Sequence, residues 1–186
     1  MIGGIPTWVG GTPPLAIGDL VAGGVVFYIA PTPTDLDGNG TLDLGLVCAL
    51  NNQSESSQWG CFGTDLASVP NVFGISGGFI GLGTEIGDGM TNTNDILNDC
   101  PAAPAALTAR SLGTEWFLPS AKELIEMSEQ KSILEGVTGF SSFGETYWTS
   151  SEQNASLAIK IDFNSSTSSG VFKIYNYKVR AVRAFQ

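Results

Sequence analysis

The chain has 186 residues, 24 of them glycine, and charged residues make up only 14%. A chain of this length forms one domain, and this composition favours strands and loops over a helical bundle. Eight basic against 18 acidic residues give a net charge of −10, and histidine is absent; the first disfavours nucleic acid and anionic membrane surfaces as partners, and the second removes the usual general base at neutral pH and the commonest transition-metal ligand.

Residues 1–16 are rich in Gly and Pro around Trp8 and Val9 and read as an extended arm. Trp8 either docks on a neighbouring subunit or packs back on its own domain. The stretch has no basic region followed by an apolar core, so it does not read as a secretory signal. No apolar run approaches the roughly 20 residues that span a bilayer. Such a chain is intracellular, released by lysis, or missing a processed leader. Residues 17–186 are expected to form a single domain.

Residues 23–30 (GGVVFYIA) and 42–50 (LDLGLVCAL) carry the β-branched and aromatic content of strands. The acidic loop between them makes the pair a hairpin with an enlarged tip. Asp35, Asp37, Asn39 and Asp43 stand at positions 1, 3, 5 and 9 of a calcium loop, with the Thr41 carbonyl at 7 and Gly40 at the turn. Position 12 is Leu46, so the closing carboxylate is missing, and no pair of helices flanks the loop; it is not an EF-hand. Two readings stand: a calcium ion that stiffens the hairpin tip, or a turn rich in Asx and Gly with no metal.

Residues 51–90 show no lasting period and many glycines, and a stretch of that kind inside a domain is often functional. Cys48 lies in an apolar run and reads as a small buried hydrophobe. Cys61 and Cys100 flank loops and are the one pair open to a disulfide, which spacing alone does not decide. Residues 91–100 have apolar positions Ile96, Leu97 and Cys100 at helical spacing, and 101–110 add a short second helix. Glu85, Asp88, Asn92, Asn94 and Asp95 read as helix capping in preference to a second metal site. The clearest helix follows Pro119, with Ser120 and Glu123 as a capping box and Ala121, Leu124, Ile125 and Ser128 on one face.

The last third returns to strands. Residues 146–151 are short, and 157–162 alternate Leu157, Ile159 and Ile161 with Ala158, Lys160 and Asp162. Residues 164–170 read as a turn or loop, and 171–177 and 178–185 as closing strands. The order is α+β, with helices set against an antiparallel sheet. Glu115, Glu145 and Glu152 lie near Trp116, Tyr147 and Trp148, the types used in glycoside hydrolysis. Nothing in their spacing forces convergence, and surface charges or partners for Arg180 and Arg183 account for them as well, so the chain is not expected to be an enzyme. Tyr175 and Tyr177 beside Lys173 either stack a glycan or fill a sheet face.

Six segments in order, GDLVAGGVVFYI, LGLVCAL, IGDGMTNTNDILNDC, EWFLPSAKELIEM, YWTSSE and YKVRAVRAF, resemble the Lcl-type C-terminal domain, a bacterial and phage family with a C-type-lectin-like fold. That fold is shared with formylglycine-generating enzymes and phage tropism-determining proteins. The resemblance spans residues 17–186. It implies a small twisted antiparallel sheet with two helices and long loops on one side, and it implies binding, not catalysis. Family members are adhesins, collagen- or glycan-binding surface proteins, or virion tip proteins. The catalytic cysteines of the formylglycine-generating branch have no matching motif here, and calcium does not carry over from the family.

The expected function is a non-catalytic module on a virion or extracellular surface that recognises a host receptor or glycan. The alternative is a structural decoration or capping subunit that binds its neighbours through residues 1–16. Loops 51–90 and 140–155 and the 164–170 turn would form the contact face, with Trp59, Phe79, Tyr147, Glu152, Asn154 and Tyr175 as ligand contacts.

Overall fold

The computed structural model describes residues 14–75 and 78–186. The expectation for Trp8 and most of the arm lies outside the described residues. The chain is α+β, built from two curled sheets. The first contains β1 (Leu20–Val21), β2 (Gly24–Thr34), β3 (Asp43–Cys48) and, from the far end of the chain, β11 (Val182–Phe185), in the order β1-β2-β3-β11. Its pairs are antiparallel, with Val25 and Val182 both opposite Cys48. Alternation along these strands sends Val25, Phe27, Leu46, Cys48 and Val182 into one hydrophobic cluster and Val26, Val47 and Phe185 into another. A sheet apolar on both faces must be covered on both. One face is covered by α3 (Ala121–Glu129) through Ala121, Leu124 and Met127. On the other, α1 (Asp88–Asp99) and α2 (Pro104–Ala109) supply Ile96, Ala105, Ala106 and Ala109. The interior is thus two clusters on either side of a shared wall.

The second sheet has β4 (Ser54–Gln58), β7 (Thr146–Glu152), β8 (Leu157–Asp162), β9 (Thr167–Phe172) and β10 (Asn176–Val179) in the order β4-β10-β7-β8-β9. Tyr147 and Trp148 point to opposite clusters, as consecutive strand residues must. β5 (Phe73–Ile75) and β6 (Gly78–Ile80) pair as a separate two-stranded hairpin, and α4 (Lys131–Leu134) continues from α3.

The capping box expected at Ser120 and Glu123 is present, and Glu123 does more than close its own helix. Its carboxylate accepts the Ser120 N–H and also the Gly87 and Gly89 N–H groups that open α1. α1 has no side-chain cap of its own, so one fully buried carboxylate serves two helix starts. Gly89 is required there, because a Cβ would fall 2.2 Å from Glu123 Oε2. Burial pushes the Glu123 carboxyl up to about 7 against the pull of these N–H donors. Arg180, also fully buried, meets no carboxylate: it donates to the carbonyls of Ala49, Leu50 and Ser141 and to Asn52 Oδ1, with its guanidinium over Phe140 and Phe143.

Several expectations are corrected. Residues 51–90 contain β4, β5 and β6 as well as loop. α1 begins at Asp88, ahead of the polar run expected to cap it. Asp88 turns back to accept from Gly83 and Glu85 N–H, and Glu85 pairs with Lys122. The 164–170 loop is half strand, because β9 starts at Thr167 and pairs with β8 from Asp162. The strand expected over 171–177 breaks at Lys173, where a turn closed by Tyr175 N–H to Phe172 O leads into β10. β10 lies parallel to β7, so the second sheet is not wholly antiparallel. Four helices stand among the described residues in place of two.

Candidate functional site

Three connections meet at one end of the second sheet: residues 59–66 after β4, residues 153–156 between β7 and β8, and residues 173–175 between β9 and β10. Backbone hydrogen bonds stitch them together. Gly63 N–H donates to Ala155 O, Lys173 N–H to Ser156 O, and Trp59 N–H to Lys173 O. A disulfide joins Cys61 to Cys100 at the end of α1, with the Cα atoms 6.3 Å apart. Cys48 is free and buried, as its apolar setting predicted. Gly60 makes the close approach possible: its φ is +116°, and a Cβ there would sit 2.8 Å from Ala103 Cα.

Beneath these loops lies a buried ion pair. Lys173 and Glu152 are both fully excluded from solvent and in direct contact. The ammonium also donates to Thr64 O at 3.0 Å and sits 4.7 Å from the centroid of the Trp59 ring. The Glu152 carboxylate accepts the Leu66 N–H, and the Trp59 indole donates to Thr149 O. Burial pushes the Glu152 carboxyl up, and Lys173 draws it back. The pair meets the condition for burying two charges, which is mutual contact plus hydrogen bonds to what remains.

Above this anchor stand three half-exposed rings. Phe62, Phe172 and Tyr175 are 47%, 43% and 46% exposed. Phe62 and Phe172 meet edge-to-face with centroids 5.9 Å apart, and Phe172 and Tyr175 do so at 5.7 Å. Asn154 is exposed on the adjoining turn; its Oδ1 accepts from Ser156 and Leu157 N–H, so its amide N–H groups are not used in holding that turn. The end is an aromatic ledge on loops fixed by a disulfide, an ion pair and backbone bonds.

The acidic loop lies elsewhere, at the tip of the β2–β3 hairpin. Carboxylate oxygens of Asp35, Asp37 and Asp43 lie within 4.8 Å of one another. Asp35 accepts from Gly38, Asn39 and Gly40 N–H, which hold its carboxyl below the usual range. Asp37 accepts from Asn39, and Asn39 Oδ1 accepts the Thr41 N–H. Asp43 is buried, accepts the Leu36 N–H, and is pushed up by burial and by the two neighbouring aspartates. Leu46, at position 12, is fully buried in β3. The loop flanks a groove of about 530 Å³ whose lining includes Leu15, Leu44, Phe185, Glu115 and Arg183.

Of the residues expected to touch a ligand, Asn154 and Tyr175 come to the same end of the sheet. Trp59, Tyr147 and Glu152 are corrected: all three are fully buried, so no ligand reaches them. Trp59 and Glu152 support the ledge from below, and the Tyr147 hydroxyl is taken up by Gly144 and Asn52. Phe79 is half-buried over α3, beside Ile86 and Ile125. Lys173 is internal and cannot flank a glycan, and Tyr177 packs edge-on against Trp148. Glu115 pairs with Arg183 at 3.5 Å, Glu145 lies in another groove with Lys178, and Glu152 is held by Lys173. Phe62 and Phe172 are not singled out by the sequence, because nothing in their local pattern separates an exposed ring from a buried one.

No family model matches the chain, and no curated protein matches it significantly. Among solved structures, a fimbrial protein from Bacteroides ovatus superposes with a TM-score of 0.53 at 16% identity, over 87% of this chain and 44% of that one. This chain therefore spans less than half the length of that protein, and what the two share is the fold.

Proposed function

We propose that the chain is a surface or appendage subunit, carried on a virion or a cell surface, whose loop end recognises a receptor or glycan without catalysis. The observation that supports this best is the Phe62–Phe172–Tyr175 ledge: exposed aromatics on rigidly tied loops are the usual form of a recognition surface. A fold shared with a fimbrial protein agrees with that setting. The lectin-like assignment rests on the sequence resemblance. The acidic loop is a calcium site in this reading. Its three converging carboxylates, one of them buried, have no basic residue among their hydrogen-bond partners, and a hard cation would relieve their repulsion. Calcium would tie the hairpin tip and leave the ledge to make the contact.

A second reading, a structural subunit that binds its neighbours, draws support from the groove lined by Leu15, Leu44 and Phe185, an apolar surface open to a neighbouring subunit. Binding of the labelled protein to host cells decides between them. Saturable binding reduced by Tyr175→Ala supports recognition. Absence of binding, together with concentration-dependent self-association, supports the structural subunit.

A further inference from the structure

We infer that the ledge takes a neutral saccharide, held by ring stacking and amide hydrogen bonds, and that it does so without a metal ion. This rests on the recognition reading above and adds the chemistry of the ligand. The loops that build this end, residues 59–66, 153–156 and 172–176, contain a single basic residue, Lys173. It is fully buried and its donors are directed to Glu152, Thr64 and the Trp59 ring. The one acidic residue of these loops exposed to solvent is Asp65, three positions from Phe62. A sialylated, uronic or sulfated ligand would find no cation in these loops and one repelling carboxylate. The net charge of −10 acts in the same direction at long range.

What is exposed fits a pyranose. The rings offer apolar area for the C–H face of a sugar, and each side chain has few rotatable bonds to immobilise. Around them, Asn154, Thr64 and Asn176 are exposed. A wholly apolar partner would bury those amides and the hydroxyl without partners at a cost, whereas sugar hydroxyls satisfy them. The acidic loop shares no residue with this end and belongs to the other sheet, so chelation has no direct route to the contact.

The test is a glycan panel with neutral and acidic members, read with 1 to 186 protein in calcium and again in chelator. The wild type is compared with Tyr175→Ala, Phe62→Ala and Tyr175→Phe, each first shown to melt as a folded protein. The expected result is binding to neutral members that weakens about tenfold or more in either alanine variant, stays within about threefold in Tyr175→Phe, and is unchanged by chelator. Binding confined to acidic members overturns the ligand class and leaves recognition standing. Neutral binding that survives both alanine variants, or that chelator abolishes, overturns the ledge or its independence of metal. Binding to host cells with no glycan bound at all overturns the saccharide, and absence of binding to cells and glycans alike overturns the recognition reading itself.

Discussion

Replacing Lys173 by Met tests the anchor beneath the ledge. Met matches the length of the lysine stem, so the change removes charge with little loss of volume. The ammonium is fully buried and meets Glu152, Thr64 O and the Trp59 ring. Its loss leaves the Glu152 carboxylate buried with only the Leu66 N–H. Breaking one side of a buried pair costs about 3–5 kcal/mol. Replacing both partners, Lys173→Met with Glu152→Met, removes both desolvation penalties and is expected to recover most of that loss. Urea unfolding read by tryptophan fluorescence measures the wild type, the single variants Lys173→Met and Glu152→Met, and the double variant, because Trp59 and Trp148 are fully buried reporters. The cycle should show a coupling of about 2 kcal/mol or more. In Lys173→Met the Glu152 carboxyl is raised further above its unfolded value. The native state then holds a proton that the unfolded state has lost, so the variant's deficit grows as pH rises above about 4.5 and shrinks below it. Single variants that cost less than about 1 kcal/mol, or additive costs, would refute the claim that the pair holds this end together.

Glu123 predicts a pH dependence of its own. With its pKa raised from 4.5 to about 7, the native state retains a proton between those values, and stability should fall by about 3 kcal/mol as pH rises from 4.5 to 7. Glu123→Gln should flatten that slope, as measured by urea midpoints across the range. Removing the Cys61–Cys100 bridge, which closes a sequence separation of 39 residues, should cost up to about 4 kcal/mol by loss of chain constraint, seen as a lower melting temperature of Cys61→Ser/Cys100→Ser. If the hairpin tip holds calcium, millimolar calcium raises the melting temperature of the wild type and leaves Asp35→Asn/Asp43→Asn unmoved; identical melting with and without calcium in the wild type removes the metal from the loop.

The elements legible in the sequence were those stabilised locally. The capping box at Ser120 and Glu123 fixed the start of α3, and the β2–β3 hairpin followed from two β-branched runs around an acidic turn. The elements that were not legible depend on distant partners. α1 starts at Asp88 because Glu123, on another helix, receives its first N–H groups. The turn at Lys173 contains no Gly or Pro to mark it; it is closed by Tyr175 N–H to Phe172 O, and the lysine within it is tied to the distant Glu152 and Thr64. For the same reason the ledge could not be read from sequence. Tyr175 stands out in the sequence only as a ring beside Lys173 in a stretch that reads as a strand, whereas Trp59 and Glu152 carry side chains typical of binding sites and serve as its foundation. A tryptophan with its N–H satisfied at Thr149 and a carboxylate satisfied by a lysine look the same in sequence as exposed ones.

The last two strands have a consequence for how the chain is made. β10 completes the second sheet between β4 and β7, and β11 completes the first against β3. Strands near the start of the domain therefore wait, during synthesis, for partners encoded well over a hundred residues later, and long waits of this kind slow folding. Until they arrive, both clusters lack a wall, and Glu152 and the carbonyls of Ala49 and Leu50 lack the cations that satisfy them. A product cut short before Asn176 can close neither sheet. Truncation ahead of these strands is thus expected to appear as failure to fold, because the closing residues of both sheets lie in the last eleven positions.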